Sequence, residues 1–249
     1  MEYQLFRLFQ ALRYAFIIIS LFLAPTHSLY LEKIAVDSLK GARIAYYPGS
    51  FDPLHLGHMT VVQTLLDEDL ADFVLIYAMP DSDSLKNRTT HSIRFSMLES
   101  QYKVDPKVLI TNLTPAEMQE KLAPLFGSIQ FSVVQGSDIV NQYVKTSKYD
   151  TVWMQGVPLK TKPEHANTST GAIMAIPATQ VIAFNRQGED LSYIGKTYKG
   201  RPLTILTTPL NASLSSTQAR LAAKSGKNLA GTVPGQVIRI IENNQLYRN

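Results

Sequence analysis

The sequence predicts an α/β fold, a doubly wound parallel sheet with helices on both faces, and three observations lead there. From Gly41 onward, apolar runs of strand length alternate with stretches of helical periodicity. Strand, helix and strand in succession build a parallel sheet through right-handed crossovers. The chain has 249 residues, of which 45% are hydrophobic, enough for a well-buried core.

Taken in order, the first strand is "ARIAYYPG" from Ala42, ending at Pro48 and Gly49, and a helix follows from about Leu56 to Leu70. "DFVLIYAM" from Asp72 is the second strand, and "HSIRFSMLESQYK" from His91 the next helix. "KVLITNL" from Lys107 precedes the helical "TPAEMQEKLAPLFG", and "FSVVQG" closes at Gly136. A segment rich in Pro, Thr and Ser, Gly156 to Thr179, reads as an inserted loop, and a loop of that length is uncommon without a purpose. "QVIAFNR" and "PLTILTTPL" supply two further strands. A helix from near Ser216 and a final one from about Gly235 to Asn244 complete the chain. The domain therefore spans residues 41–249. A sheet of this kind binds ligands outside the carboxyl ends of its strands.

Ahead of it, the first thirty residues carry Arg7 and Arg13, an apolar run from Tyr14 to Ala24, Pro25, and the small residues Thr26 and Ser28. This pattern predicts a secretory signal peptide over residues 1–28 and export to a periplasmic or secreted location. The run falls short of the roughly 20 residues a membrane span needs. An uncleaved anchor and a packed N-terminal helix are the alternatives, the latter leaving the protein cytoplasmic.

Composition removes several chemistries. Without cysteine there is no disulfide, thiolate nucleophile or cysteine-ligated metal. Lys and Arg number 24 against 20 Asp and Glu, an excess suited to anionic small molecules. No basic run interleaved with aromatics marks a nucleic-acid binder. No repeat appears at solenoid periods, and the oligomeric state is not legible.

The chemistry-bearing stretch is "GSFDPLHLGH", where a strand gives way to a helix starting near His55. Helix N-termini offer unpaired N–H groups and partial positive charge, so phosphate binds there naturally. His55 and His58, three residues apart, share one face of the first turn and could stabilise charge on a transferring phosphate. A metal site would need a third ligand, and none lies at helical spacing. The remaining alternative is that both rings merely cap and pack the helix. A second anion cradle opens another helix at "SLSSTQAR": Ser215, Ser216 and Thr217 are capping residues, and Arg220 lies one turn on, able to fork onto phosphate. Two cradles at the carboxyl ends of parallel strands suggest a polyphosphate held between them.

Together, "GSFDPLHLGH" and "SSTQAR" resemble the HxGH nucleotidyltransferase superfamily. "VPGQVIRIIENNQLY", "QGSDIV" and "VIAFNRQG" look most like the nicotinate and nicotinamide mononucleotide adenylyltransferases. The resemblance runs from about Arg43 to Tyr247 and implies a Rossmann-like fold. It also implies transfer of AMP from ATP to a mononucleotide phosphate, with magnesium accompanying the ATP and pyrophosphate released. His55, His58 and Arg220 would then be catalytic. Gly49, Ser50 and Phe51 would line the junction, Ser216 and Thr217 would hold outer phosphates, and Gly136 and Asp138 would approach the adenosine ribose. Nothing obliges a covalent intermediate. Asp52 reads as a turn-former beside Pro53, or as a general base that an ionised phosphate acceptor does not require.

The departures fall on the acceptor side. In place of a Pro-His-Lys element the sequence reads "MPDSDSLKNRTTHSIRFSML", leaving Lys86 and Arg88 as candidates for an acceptor phosphate or carboxylate, or as plain surface charges. Arg94 and Met97 match the family's next helix. No tryptophan follows Gly-x-Asp at the usual place, which leaves Tyr143, Tyr149 or Trp153 for stacking. A non-pyridine acceptor such as phosphopantetheine, or a nucleotide-binding protein without turnover, therefore stays open beside the pyridine reading.

Overall fold

The computed structural model describes residues 30–79, 81, 88–113, 115–138, 140, 178–184, 191, 197–198, 201–206 and 214–248. The proposed signal segment, nearly all of the inserted loop, Lys86, Tyr143, Tyr149 and Trp153 lie outside them.

Seven strands form one sheet: β1 (Arg43–Gly49), β2 (Phe73–Ala78), β3 (Val108–Thr111), β4 (Gln130–Gly136), β5 (Gln180–Phe184), β6 (Thr197–Tyr198) and β7 (Arg201–Leu206). Their order is β3-β2-β1-β4-β5-β7-β6. Six are parallel, as expected of apolar runs joined by helices, and only β6 runs antiparallel, against Arg201 and Pro202 of β7. At two residues β6 is too short to show a period and is not predicted by the apolar pattern. Among the described residues the helices are α1 (Leu56–Asp67), α2 (His91–Tyr102), α3 (Pro115–Leu122), α4 (Ser216–Lys224) and α5 (Gly235–Asn243).

Because side chains alternate along a strand, each strand feeds two cores. On one face Ile44, Tyr46, Leu75, Phe131, Val133 and Val181 pack with Met118 and Leu122 of α3. On the other, Ala45, Val74, Ile76, Val134 and Ile182 meet Val61 and Leu65 of α1, Phe95 and Leu98 of α2, Ala219 of α4, and Val237 and Ile241 of α5. The sheet is thus wound on both sides. α1 stops short of the expected Leu70. Asp69 takes a left-handed φ of 56°, and the amides of Leu70 and Ala71 both turn back to the Leu65 carbonyl. Arg43 ties this turn to the start of β1 through Asp69 and Asp72, at 2.6 and 2.7 Å.

Two short 3₁₀ turns ahead of Gly41, Leu31–Lys33 and Val36–Leu39, bury Leu31 and Leu39 in the first core. Tyr30 bridges Ile110 of β3, and Glu32 Oε1 accepts from the Asn112 amide at 2.6 Å. This strap shields an otherwise bare sheet edge, where unpaired backbone would invite another chain. The sequence reading assigned it no role.

The winding direction reverses between β1 and β4, and this is where the site sits. The two strands pair from Arg43–Gln130 to Tyr46–Val133 and no further, although β1 stays paired with β2 as far as Gly49–Ala78. Pro48 has no N–H to give. The ends of β1 and β4 therefore part and leave a crevice at the carboxyl edge.

If the strap is integral, Leu31→Ala should lower stability by about 2–5 kcal/mol, as for other buried leucines. Urea denaturation of the two proteins would measure it, and a loss under about 0.5 kcal/mol would mean the strap is only laid on the surface.

Candidate active site

The crevice wall begins where β1 ends. Phe51 is fully buried with a left-handed φ of 48°, so its ring turns back over Gly49. A Cβ on Gly49 would lie 2.8 Å from Phe51 Cζ, which is why only glycine fits there. Phe51 in turn stands edge-on to Tyr47 and to His58, with ring centroids 5.5 and 4.9 Å apart. The peptide between Asp52 and Pro53 is cis.

His55 caps α1 and His58 sits on its first turn, both buried, with rings stacked at 3.7 Å. The His55 amide donates to His58 Nδ1 at 3.3 Å. An imidazole that accepts at Nδ1 and is neutral carries its proton on Nε2, so that second nitrogen is the donor His58 can offer a ligand. Two of the first amides of α1 are engaged, Leu56 N–H with the Thr232 carbonyl at 2.9 Å and His58 N–H with the His55 carbonyl at 2.9 Å.

α4 brings the second cradle to the same place. Ser215 Oγ caps it by accepting from the Gln218 amide at 3.1 Å. Ser216 Oγ donates to the Pro53 carbonyl at 3.1 Å, and Arg220 donates to the Asp52 carbonyl at 2.6 Å. Arg220 also reaches Thr217 Oγ1 at 3.2 Å. The two motifs, more than 150 residues apart in sequence, are therefore bonded to each other through the Asp52–Pro53 backbone. These bonds use two of the five N–H donors on the Arg220 guanidinium.

On the other side stands Arg94, an arginine with no exposure at all. It donates to the carbonyls of Thr89, Ser50 and Met79 at 2.8, 2.8 and 2.6 Å, and pairs with Asp81 at 2.7 Å. A buried charge is tolerable only when its donors are met in this way. The effect is to lock together the loops after β1 and β2 and the entry to α2. The sequence reading took Arg94 only as a helix match. Its signal was available: Arg94 shares a helix stripe with the buried Met97 and Leu98, where a charge needs partners. Arg88 Nε donates to Ser50 Oγ at 2.7 Å. Gly136 is buried at the end of β4 and Asp138 lies two residues beyond, on the far side of the crevice from Gly49.

Asp52 does more than form a turn. Its side chain accepts from the Thr89 amide at 3.1 Å, the Thr89 hydroxyl at 2.6 Å and the Tyr247 hydroxyl at 2.6 Å. A carboxylate so occupied serves the architecture.

Titration follows from these contacts. Burial opposes ionisation of Asp81, but the His91 amide and Arg94 outweigh it and hold its carboxyl below the ordinary range. Burial and then Arg94 push the His91 imidazole down, against a bond to the Ala78 carbonyl and the charge of Asp81.

Residues 46–222 match the family model described as cytidylyltransferase-like. Over 221 residues the chain is 23% identical to a probable nicotinate-nucleotide adenylyltransferase of Flavobacterium psychrophilum, covering 83% of this chain and 99% of that one. It is 29% identical over 143 residues to a phosphopantetheine adenylyltransferase of Carboxydothermus hydrogenoformans, covering 54% and 82% respectively. In fold it is similar to the nicotinic acid mononucleotide adenylyltransferase of Plasmodium falciparum complexed with NaAD. The TM-score is 0.56 at 15% identity, over 82% of this chain and 97% of that one.

Two outcomes are expected. Gly49→Ala should cost about 1–3 kcal/mol in a urea titration, because Phe51 must leave its seat. A folded-state pKa below the unfolded one gives stability that is complete above the unfolded value and drains away as pH falls. For His91 the loss starts near pH 6.5, and for Asp81 it follows below 3.8. The fall in Tm between pH 7.5 and 5 should therefore shrink in His91→Gln; an unaltered slope would remove His91 from the account.

Proposed function

The chain belongs to the cytidylyltransferase-like family of nucleotidyltransferases, and we propose that it moves AMP from ATP to the phosphate of nicotinate or nicotinamide mononucleotide. The observation that carries this reading is the meeting of the two motifs at Asp52–Pro53, which ties the start of α4 and its Arg220 to the turn that leads into α1 and its two imidazoles. Near full-length similarity to a probable nicotinate-nucleotide adenylyltransferase supports the pyridine acceptor.

In this mechanism an oxygen of the acceptor phosphate attacks the α-phosphorus of ATP in line. The new P–O bond forms as the bond from the α-phosphorus to the β-bridging oxygen breaks, and pyrophosphate leaves with that electron pair. His55 and His58 contact the triphosphate, and the Nε2–H of His58 donates to charge developing on it. Ser216, Thr217 and Arg220 hold the outer phosphates, and Gly136 and Asp138 approach the ribose. Arg88, fixed on Ser50, faces the acceptor. The acceptor is ionised at neutral pH, so no general base is needed. Positioning and charge stabilisation supply the rate.

Magnesium would arrive with the ATP. Among the described residues no three His, Asp or Glu side chains gather as a metal cage. Magnesium beside a nucleotide is held largely by phosphate oxygens and water, and Asp138 is the carboxylate nearest in sequence to the end of β4 that could join them.

Phosphopantetheine as acceptor is the second reading, favoured by the 29% identity to an enzyme of that specificity and by the missing Pro-His element. Residues 1–28 are read as directing export, so the enzyme would work wherever ATP reaches it; among the described residues no helix is long and apolar enough to cross a membrane.

The test is pyrophosphate release by the full chain and by the chain beginning at Leu29, with ATP and magnesium, across nicotinate mononucleotide, nicotinamide mononucleotide and phosphopantetheine. Release with a pyridine mononucleotide is expected. Release with phosphopantetheine alone would transfer the assignment to the second reading, and silence with all three would leave nucleotide binding without this chemistry. His58→Ala should lower turnover at least about a hundredfold with ATP still bound.

A further inference from the structure

One part of the site belongs to neither motif. Tyr247 is 195 residues from Asp52 in sequence, yet its hydroxyl donates to Asp52 Oδ1 at 2.6 Å. The chain is steered there after α5 by two left-handed residues, Gln245 at φ 51° and Tyr247 itself at φ 63°. The Leu246 amide folds back onto the Ile241 carbonyl at 3.0 Å, which pins the turn to the buried face of α5. Non-glycine residues take such φ values rarely, and two within three residues mean that the surrounding contacts impose them.

What the phenol finds is a carboxylate with 2% exposure. A buried carboxylate keeps its place only while donors satisfy it. Thr89 supplies two of them, from the acceptor side of the crevice, and Tyr247 the third. The carbonyl of that same Asp52 receives Arg220, one bond short of the residue's side-chain attachment point. The bonds that hold the Asp52 side chain and the oxygen on which the guanidinium rests thus hang on one Cα. Burial first, and the neighbouring carboxylate second, push the Tyr247 hydroxyl well above its ordinary range, so it stays a donor at any working pH.

We propose that Tyr247 is a positioning residue which, through Asp52, fixes Arg220 over the outer phosphates of the nucleotide. The C-terminal tail is then part of the phosphate cradle without touching the ligand. This rests on the proposed reaction for the identity of the nucleotide, though the cradle itself would act on any polyphosphate.

The test is a double-mutant cycle read by calorimetric titration of the full chain with MgATP, AMP and inorganic tripolyphosphate. Tyr247→Phe removes one hydroxyl and keeps the ring. It should weaken MgATP and tripolyphosphate by about tenfold, the size of one hydrogen bond to a charged group, and leave AMP unchanged because AMP has no outer phosphates. In an Arg220→Ala background the same substitution should change MgATP affinity less than twofold. A second variant, Asp52→Asn, should reproduce the pattern, since it keeps the shape and weakens the acceptor. Equal losses for ATP and AMP would reduce Tyr247 to a general structural contact and overturn the proposal. So would losses that multiply independently in the double variant, or no loss in Tyr247→Phe. If the unsubstituted chain bound tripolyphosphate but not ATP, the adenylyl reading would fail while the cycle on tripolyphosphate still decided the role of Tyr247. If it bound none of the three, both would fall.

Discussion

A charge withdrawn from water must be met by hydrogen bonds, and at the carboxyl edge of this sheet that requirement falls on two residues. Arg94 and Asp52 are both buried, and each reaches across several segments to satisfy itself. Arg94 gathers three backbone carbonyls from the two connections that follow β1 and β2, and Asp52 gathers a loop, a tail and, through its own carbonyl, the arginine of α4. Loops after parallel strands have no ladder to hold them. Here two buried ions do that work, and the geometry of the site follows from them. The arrangement also explains why such costly groups are tolerated. Removing a partner from either would leave a buried charge short of a hydrogen bond, which is costly.

This division decides what could be read from the sequence. The parallel strands were legible because strands buried on both faces are nearly continuous apolar runs, as in "FVLIYA" of β2. The start of α4 was legible from its capping serine, Ser215. β6 was not, since two residues carry no pattern. The end of α1 was missed because its termination depends on Asp69 entering a left-handed conformation, for which the usual glycine signal is absent. In the site, the residue types at each cradle were readable, but their contact was not. Ser216 and Pro53 meet only because β1 and α4 converge at one edge of the sheet, a relation that sequence spacing does not express. Arg94 stood in plain view on an apolar helix stripe. For Asp52, local turn chemistry is a sufficient reason for Asp-Pro, and its distant partners leave no mark in the sequence.

The two sides of the crevice are also built differently. The proposed nucleotide side rests on a paired set of helix starts, imidazoles and a guanidinium. On the proposed acceptor side, Arg88 bonds to Ser50 of the first connection, and the loop that carries Arg88 is anchored at Thr89 and Arg94. Catalysis that relies on positioning needs the first side rigid. Choice of acceptor can vary through the second without disturbing the first, which fits the family's spread of acceptors over one phosphate-handling core.

The parting of β1 from β4 beyond Tyr46 and Val133 carries one more consequence. Over its last three residues β1 holds to β2 alone, so the middle of the sheet is a seam at this edge: two wings, each laddered internally, that part beyond Tyr46 and Val133. A molecule lying across the seam, with one end on the Gly49 lip and the other near Gly136, would supply the missing rungs. Occupancy would then stiffen the sheet from its centre outward, and the empty protein would be softest where it has to receive its substrates.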